Sequence, residues 1–253
     1  MSRNLQAPAP ANIAIREIDR RDEMRAVEQL QKEVWGVPDL DVVPLTQLVA
    51  AKATGGVLLG ALDNEILIGF VYGFVGCEQG QMIHHSHMLA VKPAYRNFNI
   101  GYKLKRAQRD FVLAQGITEI TWTFDPLQSL NAHFNFGRLG VISDRYLIDF
   151  YGTDAASFLH HNGTDRLWVT WLLTSEHVRD RIEQKDSNLE FEHTKPLVEI
   201  GQDSAPLYYG RAPESLGDEV FIEIPTDINV LERQNPELAA AWRGVTRAAF
   251  TEA

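Results

Sequence analysis

Basic side chains are concentrated in one short segment of a chain that is acidic as a whole. The 253 residues carry a formal net charge of −10. Within residues 91–116, five cations lie around one predicted helix start: Arg96, Lys103, Lys105, Arg106 and Arg109. The segment is predicted to be a strand, a polar loop and a helix, and the free N–H groups of a helix's first turn attract anions. Asn97, Asn99 and Gly101 tolerate unusual backbone angles, so successive N–H groups can point at one ligand. This pattern predicts a phosphate-binding cradle.

Two familiar phosphate-binding patterns are absent from this segment. It has no Gly-Lys-Ser/Thr of a Walker loop and no Gly-x-Gly-x-x-Gly of a dinucleotide site. The simpler interpretation is a solvated helix face that happens to be basic. The apolar stripe Leu104, Ala107, Phe111 and Ala114 is expected to face a core, and the lysines and arginines lie largely off it.

Three histidines precede the cradle in the run "HHSH". On a strand, His85 and His87 share one face and His84 points the other way. Imidazole titrates near neutral pH, so His85 or His87 is a candidate for binding or deprotonating an amine. The alternative is that each is an ordinary core or surface histidine. A zinc site would need a third ligand, and Cys77 is not at a recognisable spacing, so no metal is predicted.

Asp125 is a further candidate for chemistry. It follows a predicted strand, at the type of position where sites of open sheets usually form, and Pro126 restricts its backbone. Its carboxylate is a candidate for holding an acceptor amine or acting as its base. The alternative is a carboxylate that caps a turn, which is common.

The predicted elements place these residues in an α/β order. Apolar periodicity and turn residues give a strand, two helices, three strands, a helix, a strand, a helix and two strands between residues 13 and 174. The hairpin of residues 57–76 is expected to turn at Asp63-Asn64. Residues 1–12 are predicted to be a flexible lead-in and residues 175–253 an extension packed on the same core. That extension is predicted to contain helices at 176–183 and 236–250 and a strand at 219–225.

Composition excludes several classes of function. No run approaches the ~20 apolar residues of a membrane span, and the N-terminus lacks the apolar run of a signal peptide. Cys77 is the only cysteine, which rules out an internal disulfide and fits a reducing cytoplasm. The acidic balance argues against general nucleic-acid binding. We therefore expect a cytoplasmic protein that binds neither membrane nor nucleic acid.

The stretch "VKPAYRNFNIGYKL" resembles the acyl-coenzyme A-binding motif of the GNAT acyltransferases, Arg/Gln-x-x-Gly-x-Gly/Ala. Arg96 and Gly101 match its first and last positions, and Asn99 replaces the first glycine. The resemblance covers about residues 13–174. It implies the GNAT fold, a mixed central sheet in which the parallel strands 81–91 and 118–124 splay apart, and an acyl-CoA cosubstrate.

The resemblance also implies roles for individual residues. Main-chain N–H groups from Asn97 to Lys103 would bind the pyrophosphate, and the main chain at Leu89 and Val91 would pair with the pantetheine arm. The remaining residues with an implied role in binding acyl-CoA are Tyr102, Asn131 and Phe134. The family often has a tyrosine as general acid to the leaving thiolate, for which Tyr146 and Tyr151 are candidates and Tyr151 is preferred.

The runs "HSHMLAV", "KLKRAQR", "WTFDPLQSLNA", "FYG" and "IPTDI" resemble a GNAT subgroup that occurs with N-succinylamino acid racemases. That likeness implies an amino acid or similar small amine as acceptor and acetyl- or succinyl-CoA as donor. Arg138, Arg145 and Arg166 are candidates for binding carboxylates. The subgroup would have asparagine at Asp149, which leaves the acceptor open. Residues 175–253 are candidates for covering the acceptor pocket or forming a homodimer contact.

Two other functions are compatible with the same cradle. A non-catalytic acyl-CoA-binding sensor or partner protein would keep the cradle, but it would not need the histidines, Asp125 and Tyr151. A protein-tail acetyltransferase would need a broad acidic groove, and the sequence does not indicate one. The sequence therefore favours an N-acyltransferase that acts on a small amine.

Overall fold

The computed structural model describes residues 12–152, 162–183, 196–210 and 220–252. Residues 1–11 of the predicted lead-in lie outside the described residues. The chain divides into two compact units, Met1–Trp122 and Thr123–Ala253. This division falls within a strand, whereas the sequence predicted a boundary near residue 174. The assignment of a catalytic domain to residues 13–174 stays a prediction.

The first unit contains helices on a mixed sheet. Its strands are β1 (Ile13–Glu17), β2 (Val57–Asp63), β3 (Ile66–Glu78), β4 (Gln81–Val91) and β5 (Glu119–Phe124), of which β5 runs across the boundary. Its helices are α1 (Arg21–Trp35), α2 (Leu45–Ala53) and α3 (Ile100–Ala114), with short 3₁₀ turns at Asp39–Asp41 and Pro93–Phe98. Strands β1 to β4 pair with their neighbours antiparallel, and β4 pairs with β5 in parallel. The predicted mixed sheet is therefore confirmed.

The hairpin between β2 and β3 turns one residue later than predicted. Asp63 still pairs with Ile66 in the ladder. Asn64 and Glu65 form the turn, with φ angles of 46° and 76°. Two successive positive φ angles define the turn that matches the twist of a two-residue hairpin, and asparagine adopts them readily.

Helix α3 buries a different stripe from the one predicted. The buried residues are Ile100, Tyr102, Leu104, Lys105, Gln108 and Val112. Ala114, which was expected in the core, is exposed. Lys105, which was expected off the core, is only 4% exposed. The stripe follows the i, i+4, i+8 line through Ile100. The buried Lys105 donates to Ser86 of β4 and to Gln108 of α3 itself.

The second unit has its own sheet and core. Its further strands are β6 (Ile142–Leu147), β7 (Arg166–Leu172), β8 (Pro196–Ile200), β9 (Pro206–Tyr208) and β10 (Phe221–Ile222). Its helices are α4 (Ser129–Ala132), α5 (Glu176–Ile182), α6 (Ile228–Gln234) and α7 (Pro236–Glu252), with a π-helical segment at His133–Leu139 and a 3₁₀ turn at Gln202–Ser204. Strands β10, β8 and β9 form a three-stranded sheet in that order. Trp242 of α7 is fully buried in the same cluster as Leu197, Val198 and Ile228.

In the second unit two predicted helices are confirmed, and one predicted strand is shorter than expected. The predicted helices near residues 176 and 236 are present as α5 and α7, and the predicted strand near residue 219 shrinks to β10. Strand β6 ends at Leu147, and Tyr151 lies in a turn beyond it. The sequence did not predict β8 or β9. In the part of the chain that the structure describes, no helix has the length and apolar character to span a bilayer.

Candidate active site

The segment between β4 and α3 has the backbone of an anion cradle. After Val91 and Lys92 the chain makes the 3₁₀ turn Pro93–Phe98 and enters α3 at Ile100. Asn99 joins the two with φ 63° and ψ 19°, the left-handed conformation that was expected of it. The Lys103 N–H donates to the Asn99 carbonyl at 3.1 Å, so the first helical bond closes there. The main-chain N–H groups that precede it form the first turn, whose intrahelical partners are missing in any α-helix.

Exposed cations surround this turn. Arg96 is exposed, and its Nε donates to the Val91 carbonyl at 3.4 Å, which folds the side chain back towards the end of β4. Lys103 and Arg106 are also exposed. Within the described residues, no carboxylate forms an ion pair with Arg96, Lys103 or Arg106. By contrast, Lys92 pairs with Glu33 at 2.9 Å. The positive charge of the turn is thus largely available to an anion from outside.

At Gly101 there is room for a side chain that the sequence does not supply. A Cβ atom built there would lie 3.5 Å from Leu89 Cδ2, an ordinary van der Waals contact, and would meet nothing closer. Gly101 is not in the left-handed region, so its backbone does not require glycine either. The missing side chain therefore favours the close approach of a ligand to the backbone.

Strands β4 and β5 pair over a short distance only. The parallel register joins His84 with Ile120 and His85 with Thr121. Strand β4 nevertheless runs on to Val91. A parallel pair that separates part-way exposes main-chain N–H and C=O groups that need partners. This limited pairing is what the splayed strands implied by the GNAT resemblance would give.

His85 and His87 share a face, as the strand alternation predicted. Their ring centroids are 6.4 Å apart. Phe74 of β3 lies 5.5 Å from the His85 ring and 5.9 Å from the His87 ring. The β3–β4 register shifts between Tyr72, opposite Met88, and Gly73, opposite Ser86, so His87 is the extra residue of a bulge. Bulges re-aim side chains, and His87 is exposed.

His85 is held neutral by its surroundings. Burial, with the nearby charges of His87 and Lys105 adding to it, lowers the pKa of His85 to about 4. Its Nδ1 lies 3.1 Å from the Thr121 hydroxyl. A neutral imidazole at pH 7 has one nitrogen that accepts and one that donates. His85 is therefore suited to hydrogen bonding, whereas the exposed His87 is the better candidate to exchange a proton with a substrate.

His84 lies on the opposite face of β4, against α3. Gln108 Nε2 lies 3.2 Å from His84 Nε2. Burial, followed by the charges of Lys105 and His85, lowers the pKa of His84 to about 3. Within the described residues, no group of three His, Cys, Asp or Glu side chains is close enough to hold a metal ion.

In the second unit Asp125 is part of a buried ion pair. Arg243 of α7 donates to both carboxylate oxygens of Asp125, at 2.9 and 2.7 Å. The Leu127 N–H donates to Asp125 Oδ1 at 3.0 Å, so the turn-capping alternative is confirmed. Because both oxygens are already engaged and the two side chains are only 13% and 7% exposed, Asp125 is poorly placed to act as a base. Sequence reasoning missed Arg243, which lies 118 residues away.

Tyr151 remains accessible in the turn after β6. Its ring is 43% exposed. Its hydroxyl lies 3.5 Å from the Thr123 hydroxyl. The Arg166 guanidinium lies 5.5 Å from its ring centroid and donates to the Thr123 hydroxyl and carbonyl at 3.1 and 2.9 Å. The other tyrosine candidate, Tyr146, donates to Asp165 at 2.7 Å. Burial, and next Asp165, raise the pKa of Tyr146 well above its usual value, so Tyr146 is poorly suited to donate a proton.

The helix that carries Asn131 and Phe134 begins as an α-helix and continues as a π-helix. Asn131 lies exposed in α4, and the half-buried Phe134 lies in the π-helical segment. Asn135 is buried, and its carbonyl accepts from the Val141 N–H at 3.2 Å. Wide helical turns of this kind are frequent at functional sites.

Solved structures of N-acetyltransferases share this fold. The ribosomal-protein-S18-alanine N-acetyltransferase of Escherichia coli matches with a TM-score of 0.51 and 12% identity, over 71% of this chain and 100% of its own. An acetyltransferase described as a GNAT member, from Desulfovibrio desulfuricans, matches with a TM-score of 0.52 and 14% identity, over 64% and 99%. The aminoglycoside 6′-acetyltransferase type Ii matches with a TM-score of 0.50 and 18% identity, over 64% and 98%.

These likenesses establish the class of fold. The chain has the GNAT acyl-CoA N-acyltransferase fold, as its motif and element order predicted. Protein-family models give no match, and neither do curated protein sequences. At such low identities the fold is shared but the acceptor is not specified.

Proposed function

We propose that the protein is an acyl-CoA-dependent N-acyltransferase. The observation that carries this proposal is the cradle between β4 and α3: a left-handed Asn99, a first helical turn, and exposed cations that no carboxylate of the described chain neutralises. A diphosphate supplies the matching negative charge. Strand β4 both leads into the cradle and separates from β5 before the cradle. A ligand with a diphosphate and a long arm would fit this arrangement.

The proposed binding roles follow the cradle and the splay. Main-chain N–H groups from Asn97 to Tyr102, with Arg96 beside them, bind the diphosphate. The Lys103 N–H, which the sequence had included, already donates to the Asn99 carbonyl. The main chain of β4 at Leu89 and Val91 pairs with the pantetheine arm. In the second unit Asn131 and Phe134 are proposed to contact the carrier as well.

The reaction needs a nucleophilic amine, a polarised thioester and a proton for the leaving sulfur. The acceptor nitrogen attacks the thioester carbonyl carbon, the C–S bond breaks, and the amine proton passes to a base. We assign the base to His87, directly or through one water, with neutral His85 hydrogen-bonding beside it. Tyr151 is the proposed donor of a proton to the thiolate. Asp125 is reassigned from base to structural partner of Arg243.

The donor and acceptor are proposals that rest on the sequence resemblance. An acetyl or succinyl donor and an amino acid or similar small amine as acceptor fit the runs that resemble the GNAT subgroup. A homodimer and a cytoplasmic location also stay predictions from the sequence.

Ligand-induced stabilisation tests binding, and thiol release tests turnover. Binding of coenzyme A to the folded state alone stabilises it by ~2.7 kcal/mol at a hundredfold excess over Kd. No shift in the melting temperature would contradict the proposal. Release of free coenzyme A from acetyl- or succinyl-CoA is then screened against amino acids and simple amines. Binding without turnover on any amine would favour the non-catalytic alternative.

Two histidine variants test the assignment of the base to His87. We expect His87→Ala to lower kcat without weakening coenzyme A binding, whereas His177→Ala on the surface of α5 leaves both unchanged. Unchanged kcat in His87→Ala would remove His87 from the chemistry.

A further inference from the structure

Strands β4 and β5 begin to separate at one identifiable level. The last paired residues in the register are His85 and Thr121. The next residue on each strand is Ser86 on β4 and Trp122 on β5. These two side chains therefore mark the level at which the gap between the strands opens.

Lys105 of α3 contacts both of these side chains. Its Nζ donates to Ser86 Oγ at 2.8 Å. The same nitrogen lies 3.6 Å from the centroid of the Trp122 ring. Lys105 is only 4% exposed. One buried amino group therefore touches a side chain from each strand at the level where the strands part.

The partners of the buried Lys105 amino group are neutral side chains. Nζ also donates to Gln108 Oε1 at 3.2 Å. Within the described residues, no carboxylate pairs with it, and burial lowers the pKa of Lys105 well below its usual value. Because burying an amino group without partners is costly, its neutral acceptors and the aromatic face hold it in place.

Two neighbouring side chains fix the orientation of this arrangement. Gln108 accepts from Lys105 and, at 3.1 Å, from the Ser86 hydroxyl with the same oxygen. Its amide nitrogen faces His84 Nε2 at 3.2 Å. His84 is neutral at pH 7, so Nε2 can accept the amide proton. A flipped amide would place its NH₂ group, a donor, where the oxygen now accepts from both Lys105 and Ser86.

We propose that Lys105 is a positioning residue that sets the gap between β4 and β5, and so the fit of the carrier's pantetheine arm. It ties Ser86 of one strand and Trp122 of the other to α3. The inference rests on the proposed function, because the gap matters only if the arm binds there. Lys105 lies on the α3 side of β4, opposite His85 and His87, and takes no part in the chemistry.

Two ligands separate an effect on the arm from an effect on the phosphates. Coenzyme A carries both, and adenosine 3′-phosphate 5′-diphosphate lacks the pantetheine arm. Lys105→Met keeps the length of the side chain but removes its donors and charge. We expect this variant to bind coenzyme A about tenfold more weakly, or ~1.4 kcal/mol, with the affinity for the nucleotide fragment unchanged.

Lys103→Met is the matched control, because Lys103 lies two residues earlier on the same helix and is exposed. We expect it to weaken both ligands by the same factor, since it acts through the phosphates. Wild-type affinity of Lys105→Met for coenzyme A would overturn the inference, and so would an equal loss for both ligands.

Ser86→Ala provides the second variant if Lys105→Met fails to fold. It keeps Lys105 and removes only its contact with β4. A smaller loss of affinity for coenzyme A alone is expected, and no selective loss would overturn the inference. If the wild-type protein binds neither ligand, the proposed function itself fails; normal wild-type binding with unaltered variants overturns only the role of Lys105.

Discussion

The cations of α7 in the second unit and those in the first half of α3 in the first unit have opposite kinds of partner. In the second unit, Arg243 and Arg247 each donate to both oxygens of an aspartate, Asp125 and Asp165. In the first unit, the contacts of the buried Lys105 are neutral groups, and the exposed cations at the start of α3 have no carboxylate partner among the described residues. Cations that the chain neutralises itself stabilise the fold, whereas the exposed cations that it leaves without a carboxylate are available to a ligand.

The largest expected effect is a loss of stability on removing a paired arginine of the second unit. Arg243→Met leaves the Asp125 carboxylate buried without its partner, and breaking a buried pair in this way costs ~3–5 kcal/mol. Urea unfolding measures the loss. Arg20→Met is the control, because the Arg20–Asp22 pair has similar geometry but its side chains are 69% and 65% exposed. Equal losses of stability in the two variants would contradict a structural role for Arg243.

Acid should affect the two units over different pH ranges. The pKa of folded His85 is about 4, below the ~6.5 of an unfolded histidine. Between these values the unfolded chain binds the extra proton, so the free energy of unfolding falls by up to ~1.4 kcal/mol for each pH unit lost. In Asp165, burial alone would raise the pKa, but hydrogen bonds from Arg247 and Tyr146 lower it. The contribution of ionised Asp165 to the free energy of unfolding is therefore lost only at pH values below the usual pKa of an aspartate.

The unfolding free energy of the wild type and of His85→Gln, measured from pH 8 to pH 4, tests this difference. Glutamine can keep a hydrogen bond to Thr121 but does not titrate. We expect the free energy of unfolding to fall less steeply in the variant than in the wild type between pH 6.5 and pH 4. Identical slopes would show that His85 is not held neutral by the fold.

Reversing one charge at the cradle tests the availability of its cations. Arg96→Glu places a carboxylate beside the proposed diphosphate, and we expect a loss of about tenfold or more in coenzyme A affinity, or ~1.4 kcal/mol per factor of ten. The loss should shrink at high salt because exposed charges are screened. Arg25→Glu on the exposed face of α1 makes the same change in net charge and should have no effect. Equal affinities for the two variants would contradict the cradle.

The smallest expected change in stability comes from Gly101→Ala. Alanine is favoured over glycine in a helix by up to ~1 kcal/mol, and the space next to Leu89 accepts a Cβ. We therefore expect equal or higher stability together with weaker coenzyme A binding. Calorimetric titration and thermal unfolding of the same sample measure both quantities. Weaker binding with lower stability would mean that Gly101 serves the fold.

The sequence predicted what depends on local chemistry. Asn99 was expected in the left-handed region because asparagine tolerates it, and His85 and His87 were expected on one face because strand side chains alternate. The order of elements up to residue 174 followed from apolar periodicity. These predictions needed no knowledge of distant contacts.

What the sequence could not predict depends on partners far along the chain. Asp125 was a candidate base until its partner Arg243 was known, and 118 residues separate the two. Lys105 was expected off the core because it lies off the predicted apolar stripe of α3. The run of Ile100, Leu104, Gln108 and Val112 at four-residue spacing was a signal that could have corrected the stripe.

The central claim is that the main chain at the start of α3 grips the diphosphate of coenzyme A. The most direct test is a crystal structure of the protein with coenzyme A bound. We expect diphosphate oxygens within hydrogen-bonding distance of main-chain nitrogens from Asn97 to Tyr102, with Arg96 beside them. Coenzyme A bound elsewhere, with this turn empty, would contradict the claim.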